Sequence, residues 1–215
     1  MKLIYVADPM CSWCYGFSKE VAELLDMNPE LLLEIVLGGL TAGSPKLLDE
    51  AGKRFRLMHW TKVEALSGLP FNREALMARV GFIYDSGPAS RALVTALKLN
   101  PEMDILKVFR VIQKSFYVDG KDVTDPSVLI KILSSAFSAE GFIVSEDLIL
   151  TTFESDEVKT DTDNHYKKAR QTFGISSFPA LLLEGNGEIE TISTGYMHAS
   201  ELQGIINKIL ISSQL

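Results

Sequence analysis

The sequence predicts an α/β protein in which one α/β domain carries a large, all-helical insertion domain. Two observations support this prediction. A strand–helix–strand pattern opens the 215-residue chain, and a helix–strand–strand–helix pattern closes it. Between the two, apolar residues recur mainly at helical spacing. We therefore assign residues 1–43 and 152–215 to one domain and residues 44–151 to the insertion.

The opening segment predicts a βαβ unit. Residues 3–8 are mostly apolar, β-branched or aromatic and are followed by a proline, as expected of a buried strand. Residues 19–27 place apolar side chains on one helical face and charged ones on the other. Residues 31–37 predict a second strand, which Gly38 and Gly39 end. A helical connection favours parallel pairing of the two strands.

The insertion predicts a series of helices whose starts are marked by capping residues and prolines. Asn72 is expected to cap one helix, and Asp125 is expected to cap another whose first residue is Pro126. The predicted helices cover residues 45–58, 73–80, 89–99, 102–116 and 126–137, with a short one from Ser145 and Glu146.

The closing segment predicts a helix, a β-hairpin and a final helix. A long helix is expected over residues 154–173, where the charge changes from acidic to basic in the direction that the helix dipole favours. The predicted hairpin joins strands 180–183 and 188–193 through a turn at 184–187. Residues 199–211 predict an amphipathic terminal helix.

Composition and charge exclude several classes of function. Hydrophobic residues make up 47% of the chain and charged residues 23%, which is ordinary for a globular protein. A net charge of −7 and a pI of about 5.1 argue against non-specific binding to nucleic acid. No apolar run approaches the roughly 18 residues of a membrane span, and no secretory signal is visible. We therefore expect a cytoplasmic protein without nucleic-acid or membrane partners.

The chain's two cysteines lie three residues apart, in the run Cys11-Ser12-Trp13-Cys14. This run follows the first predicted strand and opens the first predicted helix, which places Cys11 at a helix N-terminus. Free N–H groups and the helix dipole stabilise a thiolate there, and such sites lower a thiol pKa from about 8.5 to roughly 3.5–7.5. Cys11 is therefore the candidate nucleophile, and Cys14 is the candidate thiol that resolves a mixed disulfide.

The same two cysteines could instead bind zinc. A structural zinc site needs four ligands, usually with a second pair at similar spacing. The histidines that could complete it, His59, His165 and His198, are scattered singly along the chain. We therefore expect no metal site.

The motifs together resemble a known family. A strand that ends in C-x-x-C, a helix, and much later Phe178-Pro179 before a β-hairpin and a last helix resemble the thioredoxin fold. The helical insertion resembles that of the DsbA branch, and the run from Asp8 to Phe17 is similar to the cytosolic DsbA-like or FrnE-like disulfide isomerases. The resemblance covers essentially the whole chain. It implies that residues 1–43 and 152–215 form a thioredoxin-like domain.

The resemblance implies roles for the matched residues. Cys11 would be the exposed nucleophile, and Cys14 the more buried resolving thiol. Pro179 would follow a cis peptide bond and pack against the disulfide, although an X–Pro bond is expected to be trans from sequence alone. Phe178 would offer its backbone to an extended substrate. The implied activity is thiol–disulfide exchange on protein or peptide substrates, with no bound cofactor and with glutathione as a candidate redox partner.

The dipeptide between the cysteines departs from DsbA. DsbA carries Pro-His there, whereas this chain carries Ser12 and Trp13. Without the histidine we expect a less stabilised thiolate, and hence a less oxidising protein that acts as a reductase or isomerase. Trp13 could stack on a substrate or pack against the insertion.

Other hypotheses stay open at this point. Glutathione-dependent isomerases and transferases of the 2-hydroxychromene-2-carboxylate isomerase and kappa-class types share the fold, but they usually carry serine where this chain has Cys11. A non-catalytic redox-sensing or peptide-binding module is the third hypothesis. Asp8 is expected to serve the turn or to influence the protonation of Cys14. His59 and Trp60 either line the active-site groove or pack within the insertion.

Overall fold

The structure is a computed structural model that describes residues 1–212. Its centre is a sheet of the strands β1 (Lys2–Ala7), β2 (Leu32–Leu37), β3 (Ala180–Gly185) and β4 (Glu188–Thr194), in the order β2-β1-β3-β4. Strand β1 pairs parallel with β2 and antiparallel with β3, which pairs antiparallel with β4. The predicted βαβ unit and hairpin are confirmed. The sheet thus joins the two ends of the chain that the insertion separates.

Helices surround the sheet and build the insertion. Helix α1 (Ser12–Met27) connects β1 to β2. The insertion contains α2 (Glu50–Ser67), α3 (Arg73–Ala78), α4 (Gly87–Leu99), α5 (Ile105–Tyr117), α6 (Pro126–Ala139) and α7 (Glu146–Glu154). The chain then forms α8 (Asp156–Lys167), a π-helical turn (Lys168–Thr172) and, after the hairpin, α9 (Ala199–Ser212). No helix within residues 1–212 has the length and apolar character needed to cross a lipid bilayer.

Strand β1 is buried on both faces. Leu3 and Tyr5 point into a large core shared with α1, the insertion and α9, whereas Ile4 and Val6 point into a smaller core that contains Ala169. Side chains alternate across a strand, so a strand that is buried on both faces must be apolar throughout. This explains the apolar run from which the strand was predicted.

The insertion docks against α1 through a close contact between helices. A Cβ atom on Gly16 would lie 2.6 Å from Cγ1 of Val63 on α2. Only glycine allows this approach, because a methyl group would force the two helices apart. On the same pair of helices, Lys19 Nζ donates to the Ser67 carbonyl at 3.2 Å. Helix α1, whose first turn carries the cysteines, therefore lies between the sheet and helix α2 of the insertion.

Two predicted helix starts in the insertion are confirmed. Asn72 Oδ1 accepts from the backbone N–H of Ala75 at the start of α3, and Asp125 caps α6, whose first residue is Pro126. Helix α5 begins at Ile105 rather than at residue 102, because Asp104 is the residue that caps it.

The helix predicted over residues 45–58 is wrong at both ends, because α2 spans Glu50–Ser67. Leu47 forms an isolated antiparallel bridge with Ile83, and the N–H of Leu48 donates to the Phe82 carbonyl at 2.7 Å, so the chain is extended here. Asp49 then caps α2 by accepting from the N–H of Gly52 at 2.7 Å. Helix α2 continues past residue 58 to Ser67, and Gly68, which follows it, has a φ of 70° that suits glycine.

The long helix predicted over residues 154–173 is wrong in its continuity. Ser155 has extended backbone and separates α7 from α8, and its Oγ caps α8 by accepting from the N–H of Val158 at 3.2 Å. Beyond α8 the chain widens into the π-helical turn, and Gly174 follows it with φ 67°. The expected boundary between residues 151 and 152 falls inside α7, and the division into domains stays a prediction.

Candidate active site

Cys11 and Cys14 lie at the start of α1, just after β1. Cys11 is the N-cap residue, with φ −88° and ψ 118°, and its carbonyl accepts from the N–H of Tyr15 at 3.0 Å. Cys14 lies in the first turn, and the two cysteines approach to 3.6 Å. Both are free thiols. A thiol at a helix N-terminus with a second thiol in reach is the arrangement that thiol–disulfide exchange uses.

The two thiols differ little in exposure. Cys14 is fully buried, and Cys11 keeps only 6% of its surface exposed. The order agrees with the resemblance, but the description of Cys11 as exposed is wrong. The Phe178 carbonyl lies 3.7 Å from Cys11 Sγ, accepts from the thiol and covers it on one side. Only a small edge of Cys11 is therefore open to solvent.

Cys14 is held as a neutral thiol. Burial raises the pKa of Cys14 well above its usual value, and the neighbouring Cys11 and the Asp8 carboxylate raise it further. The backbone N–H of Asp8, which donates to Cys14 Sγ at 3.5 Å, acts in the opposite direction. A thiol held in this state is a poor nucleophile, because the thiolate is the reactive form.

The buried Asp8 carboxyl group ties three segments together. It accepts from Met10 N at 2.8 Å, from Leu40 N at 2.7 Å and from Ser86 Oγ at 2.7 Å. Met10 belongs to the active-site turn, Leu40 to the loop after β2, and Ser86 to the start of α4. Burial raises the pKa of Asp8, and these three donors counteract that rise. Asp8 therefore serves the turn, as expected, and also connects it to the insertion.

Two buried tyrosines donate hydrogen bonds to backbone carbonyls of the segment that carries the cysteines. Tyr5 Oη donates to the Cys14 carbonyl at 2.9 Å, and Tyr84 Oη donates to the Met10 carbonyl at 2.7 Å. Burial raises the pKa of Tyr84 to about 12, so its hydroxyl remains a donor at neutral pH. Tyr5, Tyr84 and Ser86 could not be predicted from the sequence as parts of the site. They come from separate segments and carry no local motif that could have revealed them.

The loop before β3 also lies next to Cys11, through the Phe178 carbonyl. The peptide bond between Phe178 and Pro179 is cis, Pro179 is buried, and Phe178 is half-buried. The Phe178 ring lies on Gly38, where an added Cβ would approach Phe178 Cζ to 2.2 Å. The loop after β2 therefore sets how closely the Phe178 carbonyl approaches Cys11. The role of Phe178 and Pro179 in substrate binding stays a prediction.

The residues between the cysteines, Ser12 and Trp13, are half-buried. Trp13 Nε1 donates to His59 Nδ1 at 3.0 Å, and the two rings meet edge to face with centroids 6.1 Å apart. Trp13 therefore packs against the insertion while part of its indole stays accessible. Trp60, in contrast, is a core residue that is 2% exposed and stacks on Phe71.

The other histidines have partners away from the cysteines. His165 Nδ1 accepts from the N–H of Leu37 at 3.4 Å, and His198 Nδ1 lies 3.6 Å from the Glu20 carboxyl group. Within residues 1–212, no three His, Cys, Asp or Glu side chains form a group that could hold a metal ion.

Comparison with known proteins gives matches among solved structures. No protein-family model and no curated protein matches the chain. A protein from Nitrosomonas europaea that is assigned as a protein disulfide isomerase is 32% identical in sequence. Its structure superposes with a TM-score of 0.86, and the alignment covers 98% of each chain.

Two more distant structures share the fold. The cytosolic disulfide reductase DsbM from Pseudomonas aeruginosa is 21% identical with a TM-score of 0.77 over 98% of each chain, and it has also been solved with GSH. A 2-hydroxychromene-2-carboxylate isomerase is 12% identical with a TM-score of 0.70, over 100% of this chain and 98% of the other. At these identities the likeness shows the fold alone.

Proposed function

This chain belongs to the DsbA-like family of thioredoxin-fold proteins, and from that premise we propose that it reduces or isomerises protein and peptide disulfides through Cys11 and Cys14. The observation that carries the proposal is the pair of free thiols, 3.6 Å apart, at the N-terminus of α1. The family relationship supports an oxidoreductase, and Cys14 lies close enough to Cys11 to resolve a mixed disulfide.

The reaction takes place in two exchange steps. The Cys11 thiolate attacks one sulfur of the substrate disulfide, the S–S bond breaks, and the other substrate sulfur leaves as a thiolate that takes up a proton. Cys14 then attacks Cys11 Sγ, the S–S bond to the substrate breaks, and the departing substrate sulfur takes up the proton that Cys14 gives up. The substrate gains two electrons, and the protein dithiol loses two as it becomes the Cys11–Cys14 disulfide.

Glutathione is the proposed reductant for the oxidised protein. Two glutathione molecules supply two electrons, restore the Cys11 and Cys14 thiols, and leave as glutathione disulfide. The structure of DsbM with GSH supports this choice of partner. DsbM is named as a cytosolic reductase, and we propose the cytosol as the place of action of this chain as well.

A second candidate is a glutathione-dependent isomerase that acts on a small aromatic substrate. It is favoured by the fold shared with 2-hydroxychromene-2-carboxylate isomerase. Cys11 argues against it, because such enzymes usually carry serine at the matching position.

A Cys14→Ser variant separates the candidates. Incubated with a peptide disulfide, it should accumulate a covalent mixed disulfide at Cys11, because the resolving thiol is missing and the first step cannot proceed further. Intact-mass spectrometry detects the adduct, and Cys11→Ser is the matched control that should form none. An isomerase would keep its turnover of the small substrate in Cys14→Ser. The proposal fails if the wild-type protein exchanges with neither a peptide disulfide nor oxidised glutathione.

A further inference from the structure

The Trp13 indole is held in place from the insertion. Trp13 lies between the two cysteines on α1, and His59 lies on α2. The distance of 3.0 Å from Trp13 Nε1 to His59 Nδ1 is that of a well-formed N–H hydrogen bond. Trp13 is only half-buried, so water could satisfy its N–H if His59 were absent. The hydrogen bond therefore fixes the orientation of the indole and is not needed to satisfy a buried N–H group.

The His59 ring is fixed by aromatic contacts on two sides. Its centroid lies 6.1 Å from that of Trp13 and 4.6 Å from that of Phe55, and both contacts are edge to face. This is a favourable geometry for aromatic pairs. Phe55, one turn earlier on α2, is 58% exposed. The three rings form a row from the cysteine motif to the outer surface of the insertion.

The hydrogen bond requires one protonation state of His59. Nδ1 can accept only when it carries no proton, so the imidazole must be neutral with its proton on Nε2. Burial lowers the pKa of His59, and the positive charge of Lys62 on the same helix lowers it further. On the side of α1 the ring meets the uncharged indole of Trp13. These surroundings favour the accepting state at neutral pH.

We propose that His59 is a positioning residue of the active site, which fixes the Trp13 indole beside the cysteines as a contact for the incoming disulfide substrate. His59 acts through Trp13 and need not touch either thiol. The substrate contact rests on the proposed exchange function, whereas the fixing of Trp13 does not. Protonation of His59 makes Nδ1 a donor, which releases Trp13 and weakens substrate binding in acid.

Three substitutions separate hydrogen bonding from packing. His59→Asn keeps an acceptor, because Asn Oδ1 takes nearly the place of His Nδ1, but it does not titrate. His59→Phe keeps an aromatic ring without an acceptor. Trp13→Phe removes the donor and identifies its signal in the spectrum.

The first measurement follows the indole N–H signals in ¹⁵N-labelled protein by NMR, where the chain's two tryptophans give two signals. We expect the Trp13 signal of the wild-type protein to titrate with a midpoint below the ordinary histidine value of about 6.5. His59→Asn should keep this signal near its neutral-pH position between about pH 5 and 8. His59→Phe should hold it at the acid position throughout.

The second measurement is the KM for a peptide disulfide. In His59→Phe it should rise about 2- to 10-fold, the effect of losing one neutral hydrogen bond, with kcat little changed. His59→Asn should restore the wild-type KM. Such a result would show that the hydrogen bond matters rather than ring packing, because His59→Asn keeps the acceptor but lacks the aromatic ring.

Two results would overturn the proposal. One is a Trp13 signal that responds neither to pH nor to His59→Phe. The other is a KM that is the same in His59→Asn and His59→Phe, whether raised in both or raised in neither. A wild-type protein without any exchange activity would overturn the proposed function instead, and the NMR titration would still decide whether His59 positions Trp13.

Discussion

The carboxyl group of Asp8 is buried, which opposes its ionisation, and it accepts hydrogen bonds, which favour its ionisation. Burial raises its pKa, while the Ser86 hydroxyl and the N–H groups of Leu40 and Met10 lower it, and burial has the larger effect. A carboxyl group whose pKa is raised in the folded state stabilises the fold at low pH, and this stability is lost as pH rises through the folded pKa. Ser86 reduces that loss, because its hydrogen bond is stronger to the carboxylate than to the neutral acid.

Ser86→Ala tests this account at a single residue. Removing a donor to a buried carboxylate should cost about 1.5–3 kcal/mol of unfolding free energy. The cost should be largest above the Asp8 pKa and smaller in acid, where the neutral carboxyl group depends less on the hydroxyl. Urea denaturation at several pH values measures it. Ser135→Ala, on the exposed face of α6, is the matched control and should change stability by no more than about 0.5 kcal/mol. A cost that is independent of pH would contradict the role assigned to Ser86.

Two loops from different parts of the chain together shape the approach to Cys11. The loop after β2 contributes Gly38, and the loop before β3 contributes Phe178, whose ring occupies the space that a Cβ of Gly38 would need. The Phe178 carbonyl in turn lies 3.7 Å from Cys11 Sγ. The position of one loop therefore constrains the other and, with it, the surface next to Cys11 Sγ.

Gly38→Ala tests this coupling between elements. The added methyl group would overlap the Phe178 ring at 2.2 Å, so the loop before β3 must move, at a cost of about 1–3 kcal/mol in stability. The rate of exchange with a peptide disulfide should fall as well, because the Phe178 carbonyl moves with its ring. When Gly38→Ala is introduced into the Phe178→Ala variant, its cost in stability should be much smaller, because the ring that the methyl group would overlap is absent.

Gly204→Ala is the matched control for that substitution. Gly204 lies within α9, and a Cβ there would have no neighbour within 4 Å. The change should raise stability by about 0.5–1 kcal/mol, as expected for glycine replaced by alanine in a helix. If Gly38→Ala and Gly204→Ala changed the free energy of unfolding equally, the proposed contact between the loops would be contradicted.

The elements that could be predicted from sequence are those set by local patterns. Asn72 and Asp125 cap helices through bonds to residues two or three positions away, so their signals lie in the adjacent sequence. The extended stretch at Leu47 and Leu48 could not be predicted, because it depends on pairing with residues 82–83. The break at Ser155 was missed because the charge pattern continues across it.

The whole molecule brings the insertion to the cysteine motif at several points. His59 lies 46 residues from Trp13, and Ser86 lies 78 residues from Asp8, yet both pairs are hydrogen-bonded. Cys11, Cys14 and Phe178 could be placed from sequence because they stand in motifs that resemble a family. The hydrogen-bond partners His59 and Ser86 could not be predicted, because residues that come together only after folding form no recognisable motif in the sequence.

The most direct test of the central claim is the equilibrium of Cys11 and Cys14 with glutathione redox buffers, followed by thiol alkylation and mass spectrometry. The account predicts one two-electron transition between dithiol and disulfide. Its potential should lie nearer to the about −270 mV of thioredoxin than to the about −120 mV of DsbA, because Ser12 and Trp13 do not supply the histidine that stabilises the reduced form of DsbA. Thiols that stay fully alkylatable in every buffer, or a potential near that of DsbA, would contradict it.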